Sequence, residues 1–192
     1  MTATETALPG VLLIEPRVFG DERGWFFESW QQERYAALGI SGPFVQDNQA
    51  YSRHGALRGL HIQNPHAQGK LVQVIRGEVF DVAVDVRRGS PTFGHWTGAR
   101  LSAENRHQLW VPAGFLHGYL VTSNEALFAY KCTDLYHPET QFAVRWDDPD
   151  IGIDWPAGIE PLLSDKDRDA PLLREIDESR LPAFSANDQQ VG

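Results

Sequence analysis

The amino-acid sequence predicts an all-β fold with a few short peripheral helices. Many short runs of strand character follow one another, separated by glycine, proline and asparagine. Residues 79–87 alternate cleanly, with phenylalanine and valines on one face and aspartates and alanine on the other. Apolar residues at helical spacing occur in only two short stretches. These three observations indicate a β-sandwich, a barrel or a jelly roll.

The strands are expected to follow one another as far as about residue 132. A turn is predicted at residues 20–23, and Arg-Gly-Glu at 76–78 predicts a hairpin between the strands on either side of it. The predicted strands cover residues 10–14, 24–30, 44–52, 56–63, 70–75, 79–87, 94–101, 108–111, 118–122 and 126–132.

Two stretches are predicted to be helical. Residues 31–38 form the first candidate, and Gly39 ends it because glycine readily takes the backbone conformation that closes a helix. Residues 171–177 form the second, with two leucines and an isoleucine on one side. We expect a single domain over residues 1–182, followed by a loose polar tail at 183–192.

Composition excludes several classes of function. The 192 residues carry a net charge of -9, which argues against binding to nucleic acids or anionic membranes but allows a small anionic ligand. No apolar run reaches the roughly 18 residues of a membrane-spanning helix. The first residues lack the basic and apolar regions of a signal peptide. Cys132 is the single cysteine, which fits a reducing cytoplasm, so we expect a cytoplasmic protein.

Three reactive side chains lie close together in the sequence, at Arg58, His61 and Lys70. A neutral imidazole and an ammonium group are the pair needed to take a proton from a carbon beside a ketone, because the ammonium stabilises the enolate oxygen. Strand alternation places Arg58 and His61 on opposite faces. A bend at Gly59 would be needed for both side chains to reach one pocket.

Residues 112–117, Pro-Ala-Gly-Phe-Leu-His, match the P-x-G-x-x-H pattern of the second cupin motif. Metal-binding cupins also need an H-x-H pair, whereas this chain has His61-Ile62-Gln63. His54 lies seven residues earlier, a spacing that does not suit two ligands on one strand face. We therefore predict a cupin-type jelly roll with no metal and no other cofactor. The other histidines lie in turn-like or exposed-looking contexts, at His66, His95, His107 and His137.

A colinear series of segments carries a family resemblance over about residues 8–170. The segments are residues 21–28, 44–48, 57–61, 68–72, 77–85, 90–94, 101–105, 112–117, 130–131, 146–149 and 163–167. Together they resemble the dTDP-4-dehydrorhamnose 3,5-epimerases, whose members are metal-free cupin homodimers. These enzymes invert C3 and C5 of dTDP-4-dehydro-6-deoxy-D-glucose and yield dTDP-4-dehydro-L-rhamnose, the 4-keto precursor of L-rhamnose. The resemblance implies the same isomerase activity here.

The resemblance implies catalytic roles for four residues. His61 matches the base, Lys70 the cation near the C4 oxygen, and Tyr130 the acid on the opposite face of the sugar. Position alone leaves ordinary alternatives open: a structural histidine, a solvent-exposed lysine and a packed strand tyrosine. Asp167 matches the carboxylate that pairs with the histidine. Because Ser164-x-x-Asp167 also resembles a capping box, the sequence leaves open whether Asp167 pairs with His61 or only caps the start of a helix.

The resemblance also implies a set of substrate contacts. Arginine suits the pyrophosphate because its fork matches phosphate oxygens, and an aromatic wall would hold the thymine. In the family, the segment with Arg23 and Glu28 reaches into the partner's site, so we expect a homodimer with exchanged N-terminal segments. The expected binding residues are Arg23, Phe26, Glu28, Gln46, Asp47, Asn48, Arg58, Lys70, His117, Tyr136, Gln141 and Lys166.

Three departures from the family pattern leave alternatives open. Gln141 stands where the family commonly has glutamate, Ile62 where tyrosine or phenylalanine is usual, and Trp25 where phenylalanine is common. Related enzymes of antibiotic deoxysugar pathways invert only C3 or only C5, and this single-carbon activity is one alternative. A metal-dependent or non-catalytic sugar-binding cupin is the alternative from another class.

Overall fold

The computed structural model describes residues 1–40 and 42–185, and this part of the chain is built mainly from antiparallel strands. Two short α-helices and two 3₁₀ turns, Leu173–Glu175 and Glu178–Arg180, complete it. The strands and helices are β1 Thr2–Glu5, β2 Leu12–Glu15, β3 Val18–Asp21, β4 Gly24–Phe27, α1 Gln32–Ala36, β5 Gln46–Arg53, β6 Leu57–Gln63, β7 Lys70–Arg76, β8 Glu78–Asp85, β9 Trp96–Ser102, β10 Gln108–Val111, β11 Phe115–Val121, β12 Glu125–Cys132, β13 Gln141–Ala143 and α2 Asp165–Arg168.

Two sheets face each other, and a separate hairpin projects from them. The six-stranded sheet has the order β1-β2-β10-β7-β12-β5, and the five-stranded sheet has the order β13-β6-β11-β8-β9. Strands β3 and β4 pair only with each other. The arrangement confirms the predicted all-β class, and every central strand was anticipated within a few residues. Strands β1, β3 and β13 were not predicted.

The core has two layers because both faces of the five-stranded sheet are covered. Between the sheets, Ala83 of β8 packs with Val72 and Phe128 of the six-stranded sheet. On the outer face, Val82 and Val84 pack under later segments of the chain. The aspartate-bearing face of β8 therefore points into the interior of the sandwich, between the sheets.

The hairpin predicted at residues 76–78 is wrong. Strands β7 and β8 lie in different sheets, where β7 pairs with β10 and β12, and β8 pairs with β9 and β11. Gly77 has φ +78°, and a Cβ there would lie 1.9 Å from the carbonyl oxygen of Glu125. The glycine lets the chain cross tightly from one sheet to the other.

The helix predicted at 171–177 is also wrong, since this segment contains the short 3₁₀ turn Leu173–Glu175. Its apolar side chains are nevertheless buried. The predicted loose tail begins with two attached residues: Ala183 pairs with Arg88, and the Phe184 N–H donates to the Arg88 carbonyl at 3.0 Å. Residues 186–192 lie outside the described residues, and the domain boundary at 182 stays a prediction. Within the described residues, no helix is long and apolar enough to cross a membrane.

Candidate active site

A cavity of about 610 Å³ opens at one end of the sandwich, and both sheets contribute to its walls. Strands β5, β7 and β12 of the six-stranded sheet form one side. Strands β6 and β11 of the five-stranded sheet form the other, and the segment around α2 closes part of the rim. The predicted site residues that line this cavity are Gln46, Asn48, Arg58, His61, Lys70, His117, Tyr130, Tyr136, Gln141, Lys166 and Asp167.

His61 and Asp167 form a close polar contact in the cavity, with 2.5 Å between His61 Nε2 and Asp167 Oδ1. Ser164 Oγ donates to Asp167 Oδ2 at 2.9 Å and accepts from the Asp167 N–H at 3.2 Å. Both possibilities left open by the sequence therefore occur together, since Asp167 lies in the first turn of α2, bonded to its N-cap Ser164, and also contacts the histidine. The contact at Nε2 leaves Nδ1 as the ring nitrogen able to take a proton.

The electrostatics of Asp167 favour a carboxylate. Burial opposes its ionisation, but the hydrogen bonds from His61 and Ser164 and the nearby charge of Lys166 hold the pKa of Asp167 below its usual range. The Asp167 side chain is only 5% exposed, whereas the His61 ring is 24% exposed to the cavity. A negative charge thus lies behind the ring, on the side away from a ligand.

Lys70 lies at the start of β7 and lines the cavity, although a lysine at a strand end is usually exposed. Burial lowers the pKa of Lys70, and the neighbouring Cys132 and Asp81 partly oppose that fall. Among the described residues, its ammonium makes no hydrogen bond. It is therefore available as a donor to an oxygen atom of a ligand.

Tyr130 belongs to β12, so it reaches the cavity from the sheet opposite to that of His61. Its ring packs against Phe128 with 5.8 Å between the centroids. Burial raises the pKa of Tyr130, so the hydroxyl is protonated at neutral pH and can donate. A proton acceptor and a proton donor consequently stand on opposite walls.

Arg58 and His61 line the same cavity, although regular alternation would separate them. Gly59 has φ +136°, and the pairing of β6 with β11 changes register between His117 and Tyr119. This irregularity supplies the bend that the sequence left as a question. Arg58 is held in place through its Nε, which donates to Ser52 Oγ at 3.0 Å.

His117 contacts a buried residue that the sequence analysis did not identify as part of the site. Its Nε2 lies 3.0 Å from both carboxylate oxygens of Asp81, a fully buried residue of β8. Burial raises the pKa of Asp81, while His117 and Lys70 oppose the rise. The alternation of 79–87 gave no such signal, because it places Asp81 on the polar face of the strand, which an antiparallel sheet commonly leaves to solvent.

Gln141 lies at the centre of a hydrogen-bonded rim. Its Oε1 accepts from the Tyr136 hydroxyl at 3.1 Å and also from Lys166 Nζ. Gln46 Oε1 accepts from the Tyr136 N–H at 2.9 Å, and its amide donates to Asn48 at 3.0 Å. The Tyr136 residue is 51% exposed beside the cavity, so one face of its ring is open to a ligand.

Four expected binding residues do not line the cavity of this chain. Arg23 pairs with Asp21 at 2.6 Å on the hairpin β3–β4, and Phe26 on the same hairpin is 68% exposed. Glu28 pairs with Arg34. Asp47 pairs with Lys131 at 2.9 Å, on the face of β5 turned away from Gln46 and Asn48.

One group among the described residues has ligand atoms close enough to share a metal ion: His66, Asp134 and His137. The two imidazole rings are stacked, 4.1 Å apart and 16° from parallel. Parallel rings direct their nitrogen lone pairs side by side and not toward one point, which is a poor geometry for coordination. His117 of the cupin-like motif is not part of the group.

The chain matches the family model described as dTDP-4-dehydrorhamnose 3,5-epimerase over residues 5–175. It is 56% identical over 178 residues to the dTDP-4-dehydrorhamnose 3,5-epimerase of Pseudomonas aeruginosa, covering 92% of this chain and 98% of that relative. It is 40% identical over 187 residues to a dTDP-4-dehydro-6-deoxyglucose 3-epimerase from a Streptomyces species, covering 96% of this chain and 95% of that relative.

Solved structures agree with these sequence similarities. The Legionella pneumophila dTDP-6-deoxy-D-glucose-3,5-epimerase in complex with dTDP-4-keto-L-rhamnose superposes with a TM-score of 0.94 at 54% identity, covering 96% of this chain and 99% of that one. ChmJ, a 3'-monoepimerase from Streptomyces bikiniensis in complex with dTDP-quinovose, superposes with a TM-score of 0.89 at 38% identity. The match covers 97% of this chain and 96% of that one. The likeness confirms the predicted cupin-type fold, and the chain belongs to the dTDP-4-dehydrorhamnose 3,5-epimerase family.

Proposed function

We propose that this protein is a dTDP-4-dehydrorhamnose 3,5-epimerase that converts dTDP-4-dehydro-6-deoxy-D-glucose to dTDP-4-dehydro-L-rhamnose. The observation that carries the proposal is the placement of His61 and Tyr130 on opposite sheets, across one cavity. Inversion at carbon needs a base on one face and an acid on the other. Both C3 and C5 flank the C4 ketone, so one carbonyl acidifies both carbons and one pair of residues serves them in turn.

In the proposed reaction, His61 Nδ1 takes the proton from the carbon beside C4. The electron pair moves onto the C4 oxygen, and the Lys70 ammonium stabilises the resulting enolate. Asp167 stabilises the imidazolium through Nε2, where the contact is 2.5 Å. The Tyr130 hydroxyl then returns a proton to the same carbon from the opposite face, and exchange with solvent resets both groups.

Substrate binding follows from the remaining residues around the cavity. Arg58 and His117 offer positively charged or hydrogen-bonding groups to the pyrophosphate, and the open face of Tyr136 offers stacking to the thymine. Gln141 and Lys166 offer further polar contacts to the substrate at the rim of the cavity. The amides of Gln46 and Asn48 complete the polar wall.

Arg23, Phe26 and Glu28 enter the proposal through a homodimer. The hairpin β3–β4 makes no strand pair with either sheet and exposes apolar side chains, with Phe19 51%, Trp25 58% and Phe26 68% exposed. Large exposed apolar groups on a projecting hairpin are suited to burial against a second subunit. We propose that each hairpin completes the partner's site, in a single cytoplasmic domain over residues 1–182 that needs no metal.

The test is exchange of solvent deuterium into the keto sugar nucleotide by chelator-treated protein. We expect label at both C3 and C5 by NMR, together with formation of the L-sugar. His61→Asn is expected to slow exchange by roughly 10²–10⁴-fold, the usual contribution of a general base. The control is His95→Asn, since His95 is exposed and lies outside the cavity.

Two results would contradict the proposal. Undiminished exchange in the His61→Asn variant would remove the assigned base, and dependence on added metal would indicate a metal-dependent cupin. Label confined to C3 would instead establish a single-carbon enzyme, an activity carried in the name of a relative with 40% identity. The 3,5-epimerase is favoured because the relatives with that name reach 56% identity.

A further inference from the structure

We infer that Asp81 is a positioning residue of this site, whose buried carboxylate binds the His117 ring and supports the charge of the Lys70 ammonium, two groups that line the cavity. The inference rests on the proposed epimerase function and deepens it. Asp81 does not line the cavity itself, whereas His117 and Lys70 both do.

The register of the sheet brings Asp81 beneath His117. Strands β8 and β11 are neighbours, with Asp81 opposite Tyr119 and Ala83 opposite His117. The His117 ring reaches diagonally to the carboxylate, and its Nε2 lies 3.0 Å from both oxygens. A carboxylate can only accept, so Nε2 carries the hydrogen and Nδ1 is the ring nitrogen left for a ligand.

The titratable and charged groups around Asp81 come from four strands. His117 and Tyr119 belong to β11, where Tyr119 pairs with Asp81 in the register, and Lys70 of β7 is near enough for its charge to act on the carboxylate. Cys132 of β12 lies near Lys70, and Arg58 of β6 reaches Tyr119. Of these groups, only His117 and Lys70 act to lower the pKa of Asp81 against the effect of burial.

A buried carboxylate is strongly unfavourable unless cations compensate it, and the same holds for a buried ammonium. Asp81 and Lys70 therefore support each other's ionised forms. A Lys70 ammonium kept charged in this way complements the enolate oxygen that forms during the proposed reaction.

The test is the pH dependence of kcat and KM in Asp81→Asn. Removing the carboxylate destabilises the ammonium, so the pKa of Lys70 falls further and the donor is lost at lower pH. We expect the alkaline limb of the kcat profile to move down by about one pH unit or more. At neutral pH we expect kcat to fall roughly tenfold while KM changes less.

Asp85→Asn is the matched control. Asp85 lies four residues further along β8, is fully buried and bonds Arg87, Ser90 and Thr92 away from the cavity. Its loss is expected to lower thermal stability and leave the alkaline limb in place. If Asp81→Asn does not fold, Asp81→Thr provides a second uncharged variant with a residue that favours strands.

A second readout does not depend on activity. The chain contains three lysines, at 70, 131 and 166, so a spectrum with ¹³C at lysine Cε holds three signals. Lys131→Arg and Lys166→Arg assign them. We expect the Lys70 signal to titrate below the ordinary lysine range in the unsubstituted protein, and lower still in Asp81→Asn.

The outcomes separate this inference from the proposed function. An active protein whose alkaline limb and Lys70 titration are both unchanged in the Asp81 variants would overturn the inference alone. A Lys70 signal that titrates in the ordinary range in the unsubstituted protein would also overturn it. Coupled titration of Lys70 and Asp81 in a protein without epimerase activity would overturn the proposed function and leave the pairing in place.

Discussion

At the scale of single residues, the contact between His61 and Asp167 spans 106 positions of sequence and measures 2.5 Å. The contact acts on His61 through geometry as well as charge, because the carboxylate fixes which ring nitrogen carries a hydrogen. The lowered pKa of Asp167 means that the contact adds stability above the ordinary pKa of an aspartate. That stability is lost as the pH falls through the lower folded pKa.

Asp167→Asn is predicted to weaken the base without moving it. An amide can still accept the Nε2 hydrogen, but it provides no negative charge for the imidazolium. We expect kcat to fall by roughly a hundredfold. The acid limb of the pH profile should move to lower pH, since the imidazolium is less favoured.

The measurement is kcat against pH for Asp167→Asn beside Asp165→Asn, whose carboxylate is exposed on the same helix. The control should keep the acid limb of the unsubstituted protein. An acid limb in the same place for both variants would show that the Asp167 charge does not act on His61.

At the scale of secondary-structure elements, glycines decide where strands depart from regularity. Gly77 turns the chain from one sheet to the other, and Gly59 bends β6 so that Arg58 and His61 reach the same cavity. A Cβ on Gly59 would lie 2.6 Å from Gly118 Cα, closer than such atoms can approach. The shape of the cavity therefore depends on the backbone of β6 and β11.

Gly59→Ala is predicted to destabilise the fold by roughly 3 kcal/mol, from a positive φ and a backbone clash combined. Gly89→Ala is the matched control, because Gly89 also has a positive φ, +85°, but open space around its Cβ position. Urea unfolding should give a loss of about 1 kcal/mol for the control. Equal losses for both variants would mean that the close approach to Gly118 is unimportant.

At the scale of the whole molecule, the hairpin β3–β4 pairs with neither sheet, and in the proposed homodimer it completes the partner's site. The cavity of one chain lacks Arg23, Phe26 and Glu28, which project on or beside that hairpin. In the proposed dimer, two sites each take residues from both subunits. The arrangement makes a specific prediction about mixtures of inactive variants.

Mixed dimers of His61→Asn and Arg23→Ala are predicted to regain activity. With exchanged hairpins, each mixed dimer has one site that carries both substitutions and one that carries neither. Co-expressed in equal amounts, the two variants should recover about a quarter of the unsubstituted activity, since half of the dimers are mixed. The measurement is the activity of the mixture and of the mixed dimers purified by two different tags, which alone should show about half of the unsubstituted activity.

The control pairs His61→Asn with Tyr130→Phe, because both residues line the cavity of one chain. These mixed dimers should show no recovery, since each site then carries one substitution. Recovery in the control, or none with Arg23→Ala, would contradict the exchange of hairpins.

The sequence alone determined the fold class, the central strands and the family, because strand alternation and colinear motifs are local or ordered properties of the chain. It also predicted that His61, Lys70 and Tyr130 belong to one site, and all three line the cavity. Only the tertiary structure decided that β7 and β8 belong to different sheets, since sheet partners are chosen by long-range packing. It likewise brought Asp167 to His61 and buried Asp81 beneath His117. Such contacts between distant positions depend on register and closure, which no local pattern records.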